Sequence, residues 1–425
     1  TISLMAIMLL AFQVTFSQVD DQTVELDEVV LSLPFNQTLG KSVIKVDKIN
    51  FNDLNPILQQ YISKSISKLP GVSILSTGPG VSKPSIRGLS YDRVVVYSQG
   101  VRLENQQWGD EHGIGVSTSG INSIEVIKGP SYVLYGSDAM GGVLYIEPER
   151  YSNDFSVDYM GFYNSNYNGI TNNLGIKGSS GKFSYLARAN MVDNQSFSTP
   201  DGEVENTWFK ENDIQAGLKY ETEKFSSDLR LSMNFSELGL PHMEEGDDDH
   251  DDHDEEGHDD HDEEGHEDHY QELSHTTLTW VNTFDLGNDH ELNVTLGRQL
   301  NDRKEFDIRR SGRSNIPALS LKQYTVNVDF TYAKVIGDNW NFKIGNQAVV
   351  TDNTNNPTGI LPLIPDYLSW ENGIFATISK KINVLQFKSG IRYDFERQEA
   401  LTITGTLSKE ILRYTNNFQN VSGLL

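Results

Sequence analysis

Cysteine is absent from the 425 residues of this chain. Its absence excludes structural disulfides, thiolate zinc sites and thiol catalysis. Positive charge is scarce, because 34 Lys and Arg stand against 60 Asp and Glu and leave a formal net charge of −26. An acidic balance of this size argues strongly against a nucleic-acid partner.

Long apolar runs are scarce as well, and the one strong run lies at Ile2–Phe16. It is too short for a comfortable transmembrane helix. It fits the apolar core of a secretory signal peptide, with cleavage after Ser17 and a basic region preceding Thr1. A buried core helix is the alternative, but the acidic sequence that follows favours export. We therefore predict a signal peptide over residues 1–17.

Signatures of catalysis are also missing. The chain has no Gly-x-Ser-x-Gly, phosphate-loop or dinucleotide-binding pattern. His266-Glu267-Asp268-His269 looks like the zinc-protease motif, but its two histidines are three positions apart rather than four, and its acidic setting lacks the required helix. We predict that the protein is not an enzyme.

Residues 40–150 have the pattern of a compact α+β domain. Asn55–Leu69 has apolar residues at helical spacing, and Pro70-Gly71 ends the predicted helix. Short strands of the buried type follow it, with Gly and Pro between them. These predicted strands are Val72–Leu75, Arg93–Tyr97, Ser123–Lys128 and Gly142–Ile146.

After residue 150 the pattern changes to repeated segments of alternating polarity, such as Phe183–Ala189 and Tyr324–Tyr332. A soluble β-sandwich would also alternate in this way. A membrane barrel is favoured because the segments run to about ten residues and aromatic side chains gather near their ends. The connections also alternate between short, as at Gly178–Lys182, and long, as at Asn194–Asn212.

The longest connection, Gly239 to about Glu272, contains an eight-residue repeat. His250–Gly257 reads HDDHDEEG, and His258–Gly265 reads the same. Residues 244–268 contain seventeen Asp and Glu and no Lys or Arg. Such a segment cannot bury a core, and we expect it to be disordered without a ligand.

Four further motifs resemble the plug domain of TonB-dependent outer-membrane receptors, in order and spacing. They are Pro70-Gly71-Val72, Ser85-Ile86-Arg87-Gly88, Ile124–Pro130 and Leu134–Gly142, with the motif residues Arg87, Gly88, Gly129, Pro130, Tyr135, Gly136, Gly141 and Gly142. Ahead of them, ELDEVVL resembles the TonB box, which pairs with TonB as an added strand. Its residues are Glu25, Leu26, Asp27, Glu28, Val29, Val30 and Leu31.

The resemblance implies a mainly β protein, with an N-terminal α+β plug inside a transmembrane antiparallel barrel of 22 strands. It also implies a place in the Gram-negative outer membrane, contact with lipopolysaccharide, and energy from TonB with ExbB–ExbD. The expected divisions are a TonB box and linker at 18–39, a plug at 40–150 and a barrel at 151–425. We count about eleven strands before Leu425, so we expect a fragment. Tyr97–Gly100 departs from the family's usual Val-Asp-Gly.

Histidine is concentrated in and just after the acidic connection, where residues 242–275 hold eight of the ten in the chain. Imidazole and carboxylate without thiolate suit borderline divalent metals, zinc first. His-x-x-His spacing lets two imidazoles converge, and a carboxylate can complete the shell. The candidate ligands are His242, His250, His253, His258, His261, His266, His269 and His275. The segment also resembles the external loop of zinc-importing receptors, although acidic loops are usually solvated surface and would otherwise suggest calcium.

A second candidate metal site lies in the plug, where Asp110, Glu111 and His112 offer two oxygens and a nitrogen on what should be an apical loop. The alternative is a loop that hydrogen-bonds the barrel wall. His290 is expected to be an exposed turn residue. The sequence therefore predicts a TonB-dependent importer of zinc, with zinc as cargo and no permanent cofactor. A receptor for a metal chelate such as a siderophore or haem, and a non-transporting metal-binding surface protein, remain open.

Overall fold

The structure is a computed structural model. It describes residues 29–30, 37–38, 45–54, 59, 61–78, 80–105, 109, 112–129, 132–241, 269–337, 340–360, 362, 364–382, 385–404 and 410–424. The predicted signal peptide over residues 1–17 lies outside these ranges and stays a prediction. Within them, no helix is long and apolar enough to cross a membrane.

The N-terminal part forms a small mixed sheet with a separate hairpin. Its elements in chain order are β1 (Val29–Val30), β2 (Gln37–Thr38), β3 (Lys45–Asn50), α1 (Ile62–Ile66), β4 (Val72–Gly78), β5 (Val81–Ile86), β6 (Val94–Ser98), β7 (Val101–Arg102), β8 (Ile121–Lys128), α2 (Tyr132–Tyr135) and β9 (Gly142–Pro148). The five-stranded sheet has the order β3-β8-β9-β6-β7. Strands β6 and β9 are parallel, whereas β4 and β5 pair only with each other.

The core of this domain is aliphatic and dry. Ile66, Ile86, Ile124, Val126 and Leu144 are all fully buried in one cluster. The elements that hold Ile66, Ile124, Val126 and Leu144 are those expected from the apolar spacing, with ends that differ by a few residues, whereas β5, which holds Ile86, was not predicted. Helix α1 ends at Ile66, three residues before the predicted Leu69, and most of residues 55–60 lie outside the described ranges.

Twelve strands form one large antiparallel sheet, in which each strand pairs with the next along the chain. They are β10 (Ser156–Asn164), β11 (Gly169–Ser180), β12 (Phe183–Asn194), β15 (Phe209–Glu221), β16 (Phe225–Gly239), β17 (Tyr270–Gly287), β18 (His290–Phe306), β19 (Leu319–Ile336), β20 (Trp340–Asn355), β21 (Asp366–Ile382), β22 (Leu385–Thr404) and β23 (Glu410–Leu424). A short hairpin of β13 (Ser198–Thr199) and β14 (Gly202–Glu203) lies between β12 and β15. The sheet has one strand more than we counted in the sequence.

The polarity of the two faces distinguishes a membrane barrel from a sandwich. The outward face is apolar, since Tyr159 and Trp370 are more than half exposed. The inward face is polar and buried, as at Thr279 and Thr325, which are each 1% exposed. A soluble sandwich would show the reverse, because its apolar face would be buried between the sheets. The structure thus confirms the predicted plug-and-barrel fold class, with lipid-facing apolar residues and a polar lumen.

The plug lies against the inner face of this sheet. Polar contacts with the wall include the bond from Asn194 Nδ2 to the Tyr61 hydroxyl (3.2 Å) and that from Gln215 Nε2 to the Ser119 carbonyl (2.7 Å). The connections of the barrel differ in length at its two ends. At one end the strands are joined by turns such as Gly181-Lys182, and at the other by long segments such as 240–269 and 307–318. The long segments mark the external end of a receptor barrel.

Candidate functional site: the plug apex and the root of the acidic segment

The two ends of the acidic segment are hydrogen-bonded to each other where they join β16 and β17. We call this junction, at Leu240 and His269, the root of the segment. The Leu240 amide donates to the His269 carbonyl (3.0 Å). Asn206 Nδ2 donates to both the Leu240 and the His269 carbonyl, each at 2.7 Å. Residues 242–268 lie outside the described part of the chain. The root therefore fixes where the segment starts and ends, at the external rim between β16 and β17.

Most of the predicted metal ligands fall on that segment. His242, His250, His253, His258, His261 and His266 lie outside the described residues, as do Asp110 and Glu111 of the plug. Their role as ligands stays a prediction. Three of the predicted histidine ligands are described, namely His112, His269 and His275, and each lies in a different part of the fold.

The tip of the plug hairpin packs against the root of the acidic segment. Val81 of the plug forms a buried cluster with Phe209, Leu238 and Leu240 of the barrel, all at most 7% exposed. Gly80 comes so close that a Cβ added there would lie 2.5 Å from Phe209 Cδ2. Sequence alone could not show that the plug and the acidic segment meet, because the contact joins positions far apart in the chain.

We expect Gly80→Ala to separate the hairpin tip from this root. The added methyl group overlaps the Phe209 ring, and overpacking of this kind costs about 1–3 kcal/mol. Hydrogen exchange of the β4–β5 amides should accelerate in the variant. Gly423→Ala is the matched control, because a Cβ there meets nothing nearer than 3.9 Å. Equal exchange in the two variants would show that the contact is loose.

His112 is held on both sides of its ring. Its Nδ1 accepts a hydrogen bond from the Gly109 amide (3.0 Å), so the proton of the neutral ring is on Nε2. Nε2 then donates to Glu305 Oε1 of β18 at 2.8 Å. Lys83 Nζ donates to the Gly109 carbonyl and closes the loop from the other side. The plug apex is thus bonded to the barrel wall, the alternative that the sequence left open.

The surroundings of His112 keep it neutral. Burial lowers its pKa, and the positive charges of Arg303 and Lys83 lower it further, against the opposing hydrogen bond and charge of Glu305. Because the pKa in the folded protein lies below the unfolded value, this group contributes stability above about pH 6.5 that is lost as the pH falls through the folded pKa. A metal ion at Nε2 would have to replace the Glu305 hydrogen bond and tolerate two nearby cations.

His275 lies apart from the acidic segment with which the sequence grouped it. It is 8% exposed on the inner face of β17, and its Nε2 lies 3.1 Å from Thr277 Oγ1. His269 contributes its backbone carbonyl to the root. Among the described residues no three His, Asp or Glu side chains come together as a metal site.

Sequence reasoning missed a buried charged contact between plug and barrel, which centres on Arg102 of β7. Its guanidinium contacts Glu104 (2.5 Å), Asp138 (3.0 Å) and Glu371 of β21 (3.1 Å). Burial raises the pKa of Glu104, and the charges of Glu371 and Asp138 raise it further, against the opposing effect of Arg102. No local motif marks Arg102, since its partners come from three separate segments.

The Arg102 backbone takes part in the same contact. Its carbonyl accepts a hydrogen bond from Gln299 Nε2 of β18 at 2.7 Å, and Gln299 Nε2 also bonds Asn327 Oδ1 of β19 at 2.7 Å. The plug is therefore attached to β18, β19 and β21 through one residue. Elsewhere a cavity of about 720 Å³ lies between the plug and the wall, and its lining includes Thr118, Glu149, Arg188 and Glu211.

The plug-motif residues build the fold of the plug rather than a ligand site. Arg87 and Gly88 form a turn with positive φ values of 54° and 80°. Gly129 and Gly136 also have positive φ values, of 114° and 99°. A Cβ at Gly142 would lie 2.6 Å from the Ile127 carbonyl oxygen, and one at Gly141 would lie 2.9 Å from that of Arg93. Tyr135 is buried and packs edge-on against Tyr97 at 5.3 Å, while Pro130 lies outside the described residues.

The predicted TonB box is described only in part. Val29 and Val30 pair with Thr38 and Gln37 as a two-stranded sheet. Glu25, Leu26, Asp27, Glu28 and Leu31 lie outside the described residues. The pairing shows that this stretch accepts a neighbouring strand, which is the property that strand addition requires. TonB binding by these residues stays a prediction.

Comparison with known proteins identifies the N-terminal domain. Residues 39–143 match the family described as TonB-dependent Receptor Plug Domain. The vitamin B12 transporter BtuB of Photobacterium profundum is 31% identical over 119 residues, which cover 28% of this chain and 20% of that protein. Heme/hemopexin utilization protein C of Haemophilus influenzae is 40% identical over 84 residues, which cover 20% of this chain and 11% of that protein.

Solved structures match over most of the chain, including the large sheet. The copper transporter OprC superimposes with a TM-score of 0.72 at 13% identity, covering 89% of this chain and 59% of that one. The siderophore receptor PiuA from Acinetobacter baumannii gives 0.65 at 12% identity, covering 92% and 62%.

The aligned part of this chain thus spans about a fifth or less of the length of the two relatives matched in sequence. It spans about three fifths of the length of the two solved chains. The predicted place in the Gram-negative outer membrane is confirmed by the family of these relatives. These matches identify residues 39–143 as a TonB-dependent receptor plug domain, and the chain as a whole has the plug-and-partial-barrel fold of the solved receptors.

Proposed function

We propose that this receptor imports a divalent transition metal, zinc first, which the His- and acid-rich segment 242–268 captures at the external rim. The observation that carries the proposal is the contact between the root of that segment and the plug hairpin. Val81 and Gly80 lie directly against Phe209, Leu238 and Leu240. Cargo held by the segment is therefore next to the plug, which is the part that must move for import.

The chemistry of the segment favours borderline metals. Neutral imidazole suits zinc, copper and nickel, and carboxylate completes a mixed shell without thiolate. The repeated His-x-x-His spacing offers several overlapping weak sites, which raise the local metal concentration at the barrel mouth. The lack of cysteine and of clustered methionine argues against Cu(I), and zinc ranks first among the borderline divalent metals on availability.

From the segment, the ion would pass to the plug apex at Asp110, Glu111 and His112. In this tautomer the lone pair of His112 is on Nδ1, so His112 can act there only if Nδ1 leaves the Gly109 amide, while Nε2 keeps its bond to Glu305 and orients the ring. TonB, energised by ExbB–ExbD, would pull on Glu25–Leu31 and remodel the plug. An external energy source is needed because the outer membrane has none of its own.

In-frame removal of residues 25–31 tests transport against simple surface binding. We expect zinc accumulation at limiting metal to fall to the level of a strain without the receptor, while cell-surface zinc binding stays unchanged. The measurement is radiolabelled zinc uptake beside zinc retained by isolated outer membranes. Removal of the same number of residues within 18–24 is the matched control. If the zinc associated with the cells is unchanged in the 25–31 deletion and is all recovered with the isolated outer membranes, a metal-binding surface protein that does not transport is favoured.

A receptor for a metal chelate is the second candidate. Two observations favour it. The similar proteins include a vitamin B12 transporter, a haem/hemopexin utilization protein and a siderophore receptor. In addition, Lys83 and Arg303 lie near the plug apex, where an anionic chelate would gain from two cations and a bare metal ion would not.

A further inference from the structure

The segment next to the acidic one has the opposite charge. Residues 307–318 connect β18 to β19 at the external rim. They contain Arg309, Arg310 and Arg313 with a single acidic residue, Asp307, for a net charge of three minus one, or +2. Gly312–Asn315 at the tip are exposed. We refer to residues 307–318 as the arginine loop.

The arginine loop begins directly beside the root of the acidic segment. Tyr270, which follows His269, pairs in register with Phe306, and the two rings stack at 4.4 Å. At the other end of the loop, the Ala318 amide donates a hydrogen bond to the Glu305 carbonyl at 2.8 Å and fixes the loop to β18. The two connections therefore rise from adjacent strands, and no other strand lies between them in the described sheet.

The positive charge of the loop is only partly matched by described neighbours. Arg310 is half exposed and pairs with Asp307 at 3.1 Å, while Lys304 below it pairs with Glu272 at 2.7 Å. Arg313 is exposed and makes no ion pair with any acidic residue in the described part of the chain. Arg310 and Arg313 thus present donors at the rim that can bind further carboxylates.

We propose that the arginine loop is the docking surface of the acidic segment 244–268 of the same chain when that segment holds no metal. The segment has 17 acidic residues and no basic one, so it repels itself and gains from any nearby cation. Its reach is ample. Each half of the segment, from the root to its middle, has about thirteen residues and spans roughly 40 Å when extended. Each half of the arginine loop spans about 20 Å.

Docking sets up a competition for the same carboxylates. An Asp or Glu that accepts from Arg310 or Arg313 is unavailable to a metal ion, and a bound divalent cation removes the charge that holds the segment on the loop. The interaction is electrostatic and exposed, so it must weaken as salt shortens the screening length to about 3 Å at 1 M. This inference rests on charge and position, and it stands whether the cargo is a free ion or a chelate.

Limited trypsin digestion of the full chain in detergent tests the proposal. Trypsin cuts after the three arginines of the loop, whereas residues 231–297 contain no Lys or Arg, so the segment itself is not cut. We expect cleavage at Arg310 and Arg313 to be slower by roughly threefold or more at low salt than in 0.5 M NaCl or in excess zinc. Cleavage after Lys224, in an exposed turn at the opposite end of the barrel, is the internal reference.

The matched variant carries Asn and Gln in place of the 17 acidic residues and keeps every histidine. It should lose the protection at low salt. A second measurement uses no protease, so nonspecific effects of charge on trypsin cannot influence it. In Arg310→Lys and Arg313→Lys, a carbodiimide should couple the new amines to carboxylates of 244–268, as identified by mass spectrometry, and should leave Lys224 uncoupled.

Two results would overturn the proposal. Equal cleavage of the native chain and the Asn/Gln variant at low salt, without coupling to 244–268, would mean that the segment does not touch the loop. Protection that persists in the variant and disappears when lipopolysaccharide is removed would assign the loop to lipid phosphates instead. Neither result depends on whether the receptor imports zinc.

Discussion

Deletion of residues 244–268 should reduce zinc uptake at limiting metal by roughly tenfold or more, with little effect when zinc is abundant. The reason is effective concentration, since many weak sites tethered at the barrel mouth raise local metal far above the bulk value. Uptake of labelled zinc over a range of concentrations gives the measurement, and the loss should appear mainly as a higher half-saturation concentration.

A matched variant distinguishes metal ligation from charge. Replacing only His250, His253, His258, His261 and His266 with Asn keeps the acidity of the segment, and it should lose most of the same uptake. Native uptake should also decline as the pH falls through about 6.5, because imidazoles must be neutral to bind metal. A receptor for a chelate should keep its uptake in the deletion variant, and that outcome would replace zinc as the cargo.

The second large effect is expected at Arg102. Arg102→Gln leaves Glu104 and Glu371 without their cation, at side-chain exposures of only 18% and 24%. Removing one partner of a buried ion pair costs about 3–5 kcal/mol, and partial solvation reduces this to roughly 2–3 kcal/mol. We expect the free energy of local opening at β6 and β7 to fall by that amount, as measured by hydrogen exchange of Val94–Arg102 in the purified receptor.

Arg397→Gln is the matched control, because Arg397 pairs with Glu399 at 2.5 Å but is 52% exposed. Its effect should stay within about 0.5 kcal/mol. Arg102→Lys should recover part of the loss, since one ammonium cannot satisfy three carboxylates in the geometry of a guanidinium. Identical exchange in Arg102→Gln and Arg397→Gln would mean that the ion pairs of Arg102 do not stabilise the seated plug.

A barrel strand and a plug motif show how far local patterns predict this fold. Alternation along segments such as Tyr324–Tyr332 predicted strands that the structure contains, because side-chain direction in a strand has a period of two wherever the strand lies. Leu134–Gly142 was singled out as a plug motif, and the structure gives a physical reason for Gly141 and Gly142 in the backbone oxygens that a side chain would strike.

Prediction was weaker wherever distant segments meet. His275 was grouped with the other histidines of its region, yet it belongs to the barrel wall, since β17 begins at Tyr270. Arg102 attracted no interest in the sequence, although it forms a buried ionic attachment of the plug to the wall. Glu104 lies only two residues further along the chain, but Asp138 and Glu371 are distant in sequence and reach Arg102 only because of how the plug is seated.

The sequence by itself determined the class of protein, the order of plug and barrel, and the chemical character of the segment 242–268. These are properties of composition, short motifs and periodicity, which each segment carries alone. Only the tertiary structure decided that the plug hairpin touches the root of that segment, that His112 is bonded to Glu305, and that an arginine loop rises beside the acidic one. Those facts depend on strand register and on how the plug is seated, and both are set by the packing of the whole chain rather than by any local stretch of it.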